Sequence, residues 1–186
     1  MKNLAIALLV YGFLVTGCGP FPQTNYQQQS YTQNTPQYYV DMAKAFYSDK
    51  FIDIELRPIK GEYEAYTGFR LSVTNKTKSD MRVVWNDSYF IENGKTNGTF
   101  MFEGIRYIDR NNPKQDWLIF QQASDSKDIY PTAKVDNLGY DTLATQMGLP
   151  TGWHHFPMDI GTYGAYIKIV GKGINKNIRL TIDISK

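Results

Sequence analysis

Residues 177–184, NIRLTIDI, alternate apolar and polar side chains with a period of two. The apolar positions are Ile178, Leu180, Ile182 and Ile184, and the polar positions between them are Arg179, Thr181 and Asp183. Successive side chains of a β-strand point to opposite faces, so this spacing predicts a strand with one buried and one solvated face. Such a strand is typical of an antiparallel sheet that faces water on one side.

The same alternation recurs along most of the chain. It is present in FIDIEL (51–56), GFRLSVTN (68–75) and MRVVWN (81–86), and further strand candidates are TFMFEGIRYI (99–108), DWLIFQ (116–121) and YGAYIKIVGK (163–172). Turn-forming residues separate these runs, at Asn75-Lys76-Thr77, Asn93-Gly94, Asn97-Gly98 and Asn111-Asn112-Pro113. Short strands joined by short turns predict a mainly β protein, specifically an antiparallel immunoglobulin-like β-sandwich.

Two segments depart from this pattern. DMAKAFYSDK (41–50) predicts a short helix with Asp41 as its N-cap. Residues 122–160 contain Pro131, Pro150 and Pro157 and show little alternation. A loop-rich insertion of this length in a compact domain is either functional or poorly ordered.

The first seventeen residues have the composition of an export signal. Met1-Lys2-Asn3 is positively charged, and residues 4–16, LAIALLVYGFLVT, carry no charge. This apolar run is shorter than the ~20 residues that a membrane-spanning helix needs. A charged start, a short apolar run and a small-residue exit predict a secretory signal over residues 1–17.

The exit Val15-Thr16-Gly17-Cys18 resembles the lipobox of bacterial lipoproteins. The resemblance implies cleavage by signal peptidase II between Gly17 and Cys18, and lipid attachment to the Cys18 thiol. Gly19 stands where an aspartate would retain a lipoprotein at the inner membrane, so the resemblance implies an outer-membrane location in a Gram-negative host. The alternative is a core helix over 4–16 with an incidental cysteine, and the residues after Cys18 disfavour it because they are poor material for a core.

Residues 18–40 are expected to connect the lipidated cysteine to the domain. From Gly19 to Val40 the chain has no charged residue but six glutamines, three prolines and four tyrosines. Such a composition buries too little surface to offset chain entropy and predicts a flexible linker. Residues 41–186 are then a single β-sandwich domain.

A second resemblance covers the domain itself. The run VTNKTKSDMRVVWNDSYFIENGKTNGTF (73–100) is similar to a module of uncharacterised bacterial lipoproteins, over about residues 52–185. The resemblance implies an extracytoplasmic β-sandwich and carries no known activity.

Catalytic and metal-binding patterns are missing from the sequence. His154 and His155 are neighbours, and in an extended chain their side chains point to opposite faces, which disfavours a shared metal. Asp53 and Glu55 share a strand face and could do acid–base work, although alternation explains them as a solvated face. We therefore expect a protein without catalytic residues, metal or cofactor.

The charge balance gives no support for a nucleic-acid partner. The chain has 20 basic and 18 acidic residues, and one of the basic residues, Lys2, leaves with the signal. A nearly neutral mature chain lacks the basic surface that nucleic-acid binding requires.

Aromatic residues make up 15% of the chain. Phe69, Trp85 and Phe102 are expected in the core, whereas exposure is expected for Tyr38, Tyr39, Tyr63, Tyr66, Tyr163 and Tyr166. Exposed tyrosines are favoured at protein interfaces. The composition thus favours a binding or structural module with a protein partner in the cell envelope.

The partner is expected to contact the cluster Trp153, His154, His155 and Phe156, since aromatic anchors often dominate binding energy. In the competing interpretation, Trp153 and Phe156 fold inward and fill one end of the sandwich. Two other functions stay open: a peptidoglycan- or glycan-binding protein with Trp117 or Trp153 as a stacking platform, and a hydrolase of envelope polymers.

Overall fold

The computed structural model describes residues 39–40, 44–61, 65–137 and 153–185. The predicted signal segment, Gly17, Cys18 and the linker up to residue 38 lie outside the described residues. Helical structure in the described part of the chain is limited to 3-10 turns at Trp85–Asp87, Tyr107–Asp109 and Thr132–Lys134. No helix there is long and apolar enough to cross a membrane.

The described residues form fourteen strands, and their pairings are antiparallel. They are β1 (Tyr39–Val40), β2 (Ala45–Ser48), β3 (Ile52–Lys60), β4 (Tyr66–Asn75), β5 (Met81–Val83), β6 (Tyr89–Glu92), β7 (Lys95–Thr96), β8 (Phe100–Met101), β9 (Trp117–Ile119), β10 (Ser124–Pro131), β11 (Val135–Asn137), β12 (Trp153–His155), β13 (Gly161–Gly171) and β14 (Ile174–Ser185). The predicted mainly β, antiparallel class is therefore confirmed.

The strands form two large sheets and one small one. The first sheet has the order β1-β14-β13-β5-β9, with β6 also paired to β13 and β7 paired to β6. The second has the order β2-β3-β4-β10-β8, and β11 pairs with β12 alone. Tyr39–Val40, at the end of the predicted linker, already pair with β14.

Apolar side chains from both large sheets meet in one hydrophobic core. The strand from which the prediction began, β14, buries all four of its alternating apolar residues, Ile178, Leu180, Ile182 and Ile184. Phe69, Trp85 and Phe102 are also buried in this core, as predicted. The period of two thus identified the buried face of the long strands correctly.

In the first sheet, the strand that runs beside β13 is interrupted, and a serine side chain supplies hydrogen bonds at the interruption. β5 and β6 both pair with β13, and the 3-10 turn at Trp85–Asp87 separates them. The hydroxyl of Ser88 donates to the Val84 carbonyl at 2.7 Å and accepts from the Lys168 backbone N–H at 3.0 Å. Ser88 is fully buried, so its hydroxyl replaces a sheet hydrogen bond that the interruption removes.

The predicted helix over 41–50 is wrong for its described residues, because Ala45–Ser48 form strand β2. Asp49 ends this strand in a tight turn, where its Oδ1 accepts from the backbone N–H groups of Phe51 and Ile52. Aspartate favours this kind of turn, and pairing with β3 overrides a weak helix propensity. Asp41, the predicted cap, lies outside the described residues.

Asp49 also anchors the turn to the opposite sheet. Its Oδ2 lies 2.7 Å from Lys176 Nζ and accepts from the Tyr47 hydroxyl. Burial by itself would raise the pKa of Asp49, but the hydrogen bonds from Lys176, the backbone of Phe51 and Ile52, and Tyr47 outweigh it. The pKa of Asp49 is therefore held well below its usual range.

The expectation of a loop-rich segment over 122–160 is wrong for residues 124–137 and 153–155. Strand β10 lies within it, between β4 and β8 in the second sheet, and β11 and β12 follow. Only Ile129 and Pro131 of β10 are buried, so the strand lacks the apolar alternation that marks its neighbours. Residues 138–152 lie outside the described part of the chain.

Candidate functional site

The predicted docking cluster lies on and just after strand β12. Its strand conformation places Trp153 and His155 on one face, while the rings of His154 and Phe156 pack together on the other at 4.8 Å. Pairing with β11 sets His155 opposite Val135. The structure therefore divides the four predicted residues into two pairs with different surroundings.

Trp153 and His155 pack against Tyr130 of β10. The ring centroids of Tyr130 and Trp153 are 5.5 Å apart, and those of Tyr130 and His155 are 4.2 Å apart. Trp153 Nε1 donates to the Ile105 carbonyl at 2.9 Å, which fixes the orientation of the indole. All three rings are half-buried. They form one aromatic wall, defined here as Tyr130, Trp153 and His155.

A glycine on β4 makes room for this wall. A methyl group added at Gly68 would lie 2.5 Å from Tyr130 Cδ1 and 2.7 Å from the Ile129 carbonyl oxygen. No side chain can be accommodated at that distance without moving the ring or the strand. The absence of a side chain at Gly68 thus lets the Tyr130 ring lie close to the backbone of the sheet.

An ion pair lies beside the aromatic wall. Arg70 of β4 and Asp128 of β10 are opposite each other in register and form two parallel hydrogen bonds, at 2.7 and 2.9 Å. This fork-to-fork geometry is the strong form of a guanidinium–carboxylate contact. The Asp128 carboxylate raises the pKa of Arg70. Burial raises the pKa of Tyr130, and the negative charge of Asp128 adds to this effect.

The wall and the ion pair border a cleft of about 550 Å³. Its lining consists of Arg70, Glu103, Gly104, Ser126, Lys127, Asp128, Tyr130, Trp153 and His155. Two of the lining residues, Arg70 and Lys127, are cationic and two, Asp128 and Glu103, are anionic. A cleft of this size is in the range of small-molecule sites, roughly 300–1,000 Å³.

The position of the predicted cluster contradicts the competing interpretation, in which Trp153 and Phe156 fold inward. Trp153 is half-buried and Phe156 is 46% exposed, and both lie outside the hydrophobic core between the large sheets. Trp153 packs on Tyr130, whose ring lies over Gly68. The aromatic side chains of the cluster therefore do not fill one end of the sandwich.

Trp117, the other predicted stacking platform, is a core residue. It is 9% exposed, and its ring is stacked on Trp85 at 5.9 Å. Its Nε1 donates to Asp125 at 2.9 Å. Lys127 further covers its ring, with Nζ 5.7 Å from the centroid. The expectation that Trp117 forms a platform is wrong, because its ring is part of the hydrophobic core.

The expected exposure of the tyrosines is also wrong at one position. Tyr163 is 1% exposed and stacks on Phe90 at 6.0 Å. Tyr66 and Tyr166 are half-buried, and Tyr66 packs against the core. Tyr38 and Tyr63, like the side chain of Tyr39, lie outside the described residues.

Asp53 and Glu55 are surface groups held by cations. Asp53 pairs with Lys76, and Glu55 pairs with Lys44 and Arg57. The hydrogen bond from Lys76 lowers the pKa of Asp53, and the hydrogen bond from Arg57 lowers that of Glu55. A general acid needs a raised pKa, so this pair fits the predicted solvated face. Within residues 44–61, 65–137 and 153–185, no group of three or more His, Cys, Asp or Glu is placed to hold a metal.

Sequence reasoning missed the residues that complete the cleft. Arg70 occupies a polar position of the strand predicted at 68–75, and Glu103 had no predicted role. Asp128 belongs to a group of oxygen-bearing residues, 125–128, that lacks the spacing of a calcium loop, and Tyr130 begins the irregular segment in which the docking cluster was predicted. The signal that was available is the sequence SDSKDIY (124–130), which mixes charge with a terminal aromatic residue. It identifies no site until the pairing with β4 is known.

Comparisons of the chain with protein-family models, curated proteins and solved structures gave no match.

Proposed function

We propose that this protein is a lipid-anchored lipoprotein of the cell envelope that acts as a non-catalytic binding or structural module within an envelope assembly. The observation that carries the binding role is the aromatic wall, because three half-buried rings border a cleft outside the filled core. Side chains that are held in place but not needed for the core are typical of recognition surfaces. The partner contacts the face of β12 that carries Trp153 and His155.

Strand order supports an immunoglobulin-like assignment for the domain. In that fold one sheet has the order A-B-E-D and the other contains G-F-C. The orders β3-β4-β10-β8 and β14-β13-β5/β6 match these two patterns in sequence and in space. β9 departs from the pattern, because it pairs with β5 at the edge of the first sheet yet lies between β8 and β10 in the chain.

The anchor rests on the sequence around Cys18. An apolar run, small residues and a cysteine succeed one another in LVTGC (14–18), and a linker without charge follows. The residues between Cys18 and strand β1, 19–38, would span ~70 Å if extended and roughly 25 Å as a flexible coil. The domain would thus reach partners beyond the lipid surface, at the outer membrane if the host is Gram-negative.

Replacement of the cysteine tests the anchor. Cys18→Ala is expected to move the protein from the detergent phase to the aqueous phase in a detergent-partition assay, since the acyl chains supply membrane affinity. Metabolic labelling with a fatty acid should mark the wild-type protein and not the variant. If the fatty acid labels neither protein, or labels the variant as strongly as the wild-type protein, lipidation of Cys18 is not the anchor.

Site-specific crosslinking tests the binding role of the cleft. A photo-reactive amino acid at Glu103, which is exposed on the rim of the cleft, is expected to trap a partner in intact envelopes. The matched control is the same amino acid at Phe120, which is 62% exposed and does not line the cleft. Equal products from both positions, or none from Glu103, would contradict a cleft-centred interface.

The alternative functions are binding or hydrolysis of an envelope polymer. Hydrolysis of a glycan uses two carboxyl groups, one of which delivers a proton. Two carboxylates line the cleft, but both oxygens of Asp128 are held by Arg70. The geometry therefore favours polymer binding over hydrolysis, and the wild-type protein should leave a bound polymer intact.

A further inference from the structure

We propose that the cleft bordered by the aromatic wall binds a neutral saccharide chain, with a sugar ring lying against Trp153 and hydroxyls facing the Arg70–Asp128 pair. This inference rests on the proposed binding function and specifies its ligand class. Three features of the cleft carry it: the arrangement of the rings, the arrangement of the polar groups and the balance of charge.

The rings form a surface, not a cage. The three centroid distances within the wall are 4.2, 5.5 and 5.8 Å, so the rings fill the space between one another. A ligand can only lie against them. A pyranose ring suits such a surface because one of its faces exposes C–H groups while its hydroxyls project around the rim.

The wall is held in place before a ligand arrives. The Ile105 carbonyl holds the indole of Trp153, and the backbone at Gly68 supports the Tyr130 ring. Side chains that are already ordered lose little conformational entropy on binding. Such preorganisation favours the binding of an uncharged ligand such as a sugar, because no ion pair adds to its binding free energy.

The polar groups suit hydroxyls. A guanidinium has five N–H donors, and two of those of Arg70 are used by Asp128, which leaves others to donate toward the cleft. Asp128 and Glu103 supply acceptors, and Ser126 supplies a hydroxyl that can do either. Adjacent donors and acceptors match vicinal hydroxyls, each of which donates one hydrogen bond and accepts others.

The charge of the lining indicates a neutral ligand. Arg70 and Lys127 balance Asp128 and Glu103. Arg70 is neutralised by its ion pair, and the Lys127 ammonium lies 5.0 Å from the Phe102 ring centroid. A site for a phosphate- or carboxylate-rich polymer would show an excess of cations. The cleft has no such excess, which separates it from sites for acidic glycans.

A titration with defined oligosaccharides tests the assignment. The full chain, purified in a polyoxyethylene detergent that has no sugar head group, is titrated with cellotetraose, with the tetramer of N-acetylglucosamine and with tetragalacturonate as an acidic probe. Trp85 and Trp117 are buried, so Trp153 is the tryptophan that reports on the cleft. We expect a saturable fluorescence change with at least one neutral probe at micromolar to millimolar concentration, and none with the acidic probe.

Variants locate the binding. Calorimetry should show affinity reduced about tenfold or more for Trp153→Ala, which removes the stacking surface, and for Arg70→Lys, which keeps the charge but loses the donor fork. Phe120→Ala is the control, since it removes an exposed ring outside the cleft and should bind as wild type does. Thermal melting confirms that each variant is folded before its affinity is compared.

The outcomes separate this inference from the proposed function. If no neutral probe saturates, if only the acidic probe binds, or if folded Trp153→Ala and Arg70→Lys bind as wild type does, the saccharide assignment is overturned. A protein crosslinked through Glu103 in envelopes, together with no binding of any neutral probe, would leave the binding module standing and assign the cleft to a protein ligand.

Discussion

Replacement of Asn75 should destabilise the domain strongly, because this buried side chain joins the two large sheets. Asn75 ends β4 in the second sheet and is 1% exposed. Its Nδ2 donates to the carbonyls of Ile119 and Phe120, at the end of β9 in the first sheet, at 3.2 and 3.1 Å. It also donates to the Ser79 carbonyl at 2.9 Å, and its Oδ1 accepts from the backbone N–H and the hydroxyl of Thr77.

The magnitude follows from the burial of these contacts. The contact with the Ile119 carbonyl is fully buried, so Asn75→Ala leaves an unpaired acceptor that costs ~1–3 kcal/mol. The side-chain amide has two N–H donors for three carbonyls, so the part-buried contacts with Ser79 and Phe120 count as one hydrogen bond beside the two accepted from Thr77. At ~0.5 kcal/mol for each of these three, the expected loss for Asn75→Ala is about 2.5–4.5 kcal/mol in the free energy of unfolding.

Asn75→Asp sharpens the test, because it keeps the shape and reverses the hydrogen-bond donor. An aspartate oxygen would face three carbonyl oxygens, so near pH 7 this variant should be less stable than Asn75→Ala. The ionised form is the one that the site rejects, so the extra loss should shrink as the pH is lowered to about 4.

Urea denaturation followed by the fluorescence of the stacked pair Trp85 and Trp117 measures these losses. Asn111→Ala is the matched control: this asparagine is exposed in the loop before β9, and its replacement should change stability by less than about 0.5 kcal/mol. A loss below about 1 kcal/mol for Asn75→Ala, or an Asn75→Asp variant as stable as Asn75→Ala near pH 7, would refute the proposed role of this side chain.

Three further predictions concern the sheet, the acid stability and the cleft. Ser88→Ala should cost ~0.5–1.5 kcal/mol and speed hydrogen exchange of the Lys168 amide, since this part-buried N–H loses the hydroxyl to which it donates; NMR exchange rates check this. The folded-state pKa of Asp49 lies below its unfolded value, so its carboxylate stabilises the fold above about pH 4 and less as the pH falls. Asp49→Asn should therefore lower stability near pH 7 and flatten the fall in unfolding free energy between about pH 4 and pH 2, which urea titrations at several pH values would show. Gly68→Ala should displace the Tyr130 ring and lower the melting temperature, and an unchanged Tyr130 NMR environment would contradict the close packing at this glycine.

The long strands could be predicted from the sequence because each has one face in the core and the other in water. From Ile52 to Leu56 in β3 and from Ile178 to Ile184 in β14, the core-facing residues are apolar and the intervening ones are polar, so the period of two is visible without neighbours. The turn Asn93-Gly94 was visible for a different reason. Both residues have positive φ, at 49° and 83°, a geometry that favours this dipeptide in two-residue hairpin loops.

Strand β10 was hidden because polar residues occupy the inner face of its first half. Asp125 and Lys127 lie opposite the buried residues Val73 and Leu71 of β4, where alternation would call for apolar side chains. Asp125 accepts from the Trp117 indole, and Lys127 covers the rings of Phe102 and Trp117. These polar side chains cover the edge of the aromatic core. The segment therefore forms a strand although its sequence pattern is that of a loop.

Contacts on the outer face of β10 fix its register against β4, and the same face forms one side of the cleft. Ser124 contacts Thr74 through their hydroxyls at 2.8 Å, and Asp128 pairs with Arg70 in the same ladder. A shift of one residue would place Asp128 opposite a core residue of β4, at a cost that cross-strand pairing and burial both oppose. The sequence around Trp153 pointed to a binding surface, but the polar half of the cleft comes from residues 58 positions apart, Arg70 and Asp128, which only this register brings together. Because the same ladder that stabilises the strand supplies the hydroxyl-binding groups, the cleft is a consequence of how β10 pairs, and its ligand chemistry follows from the register.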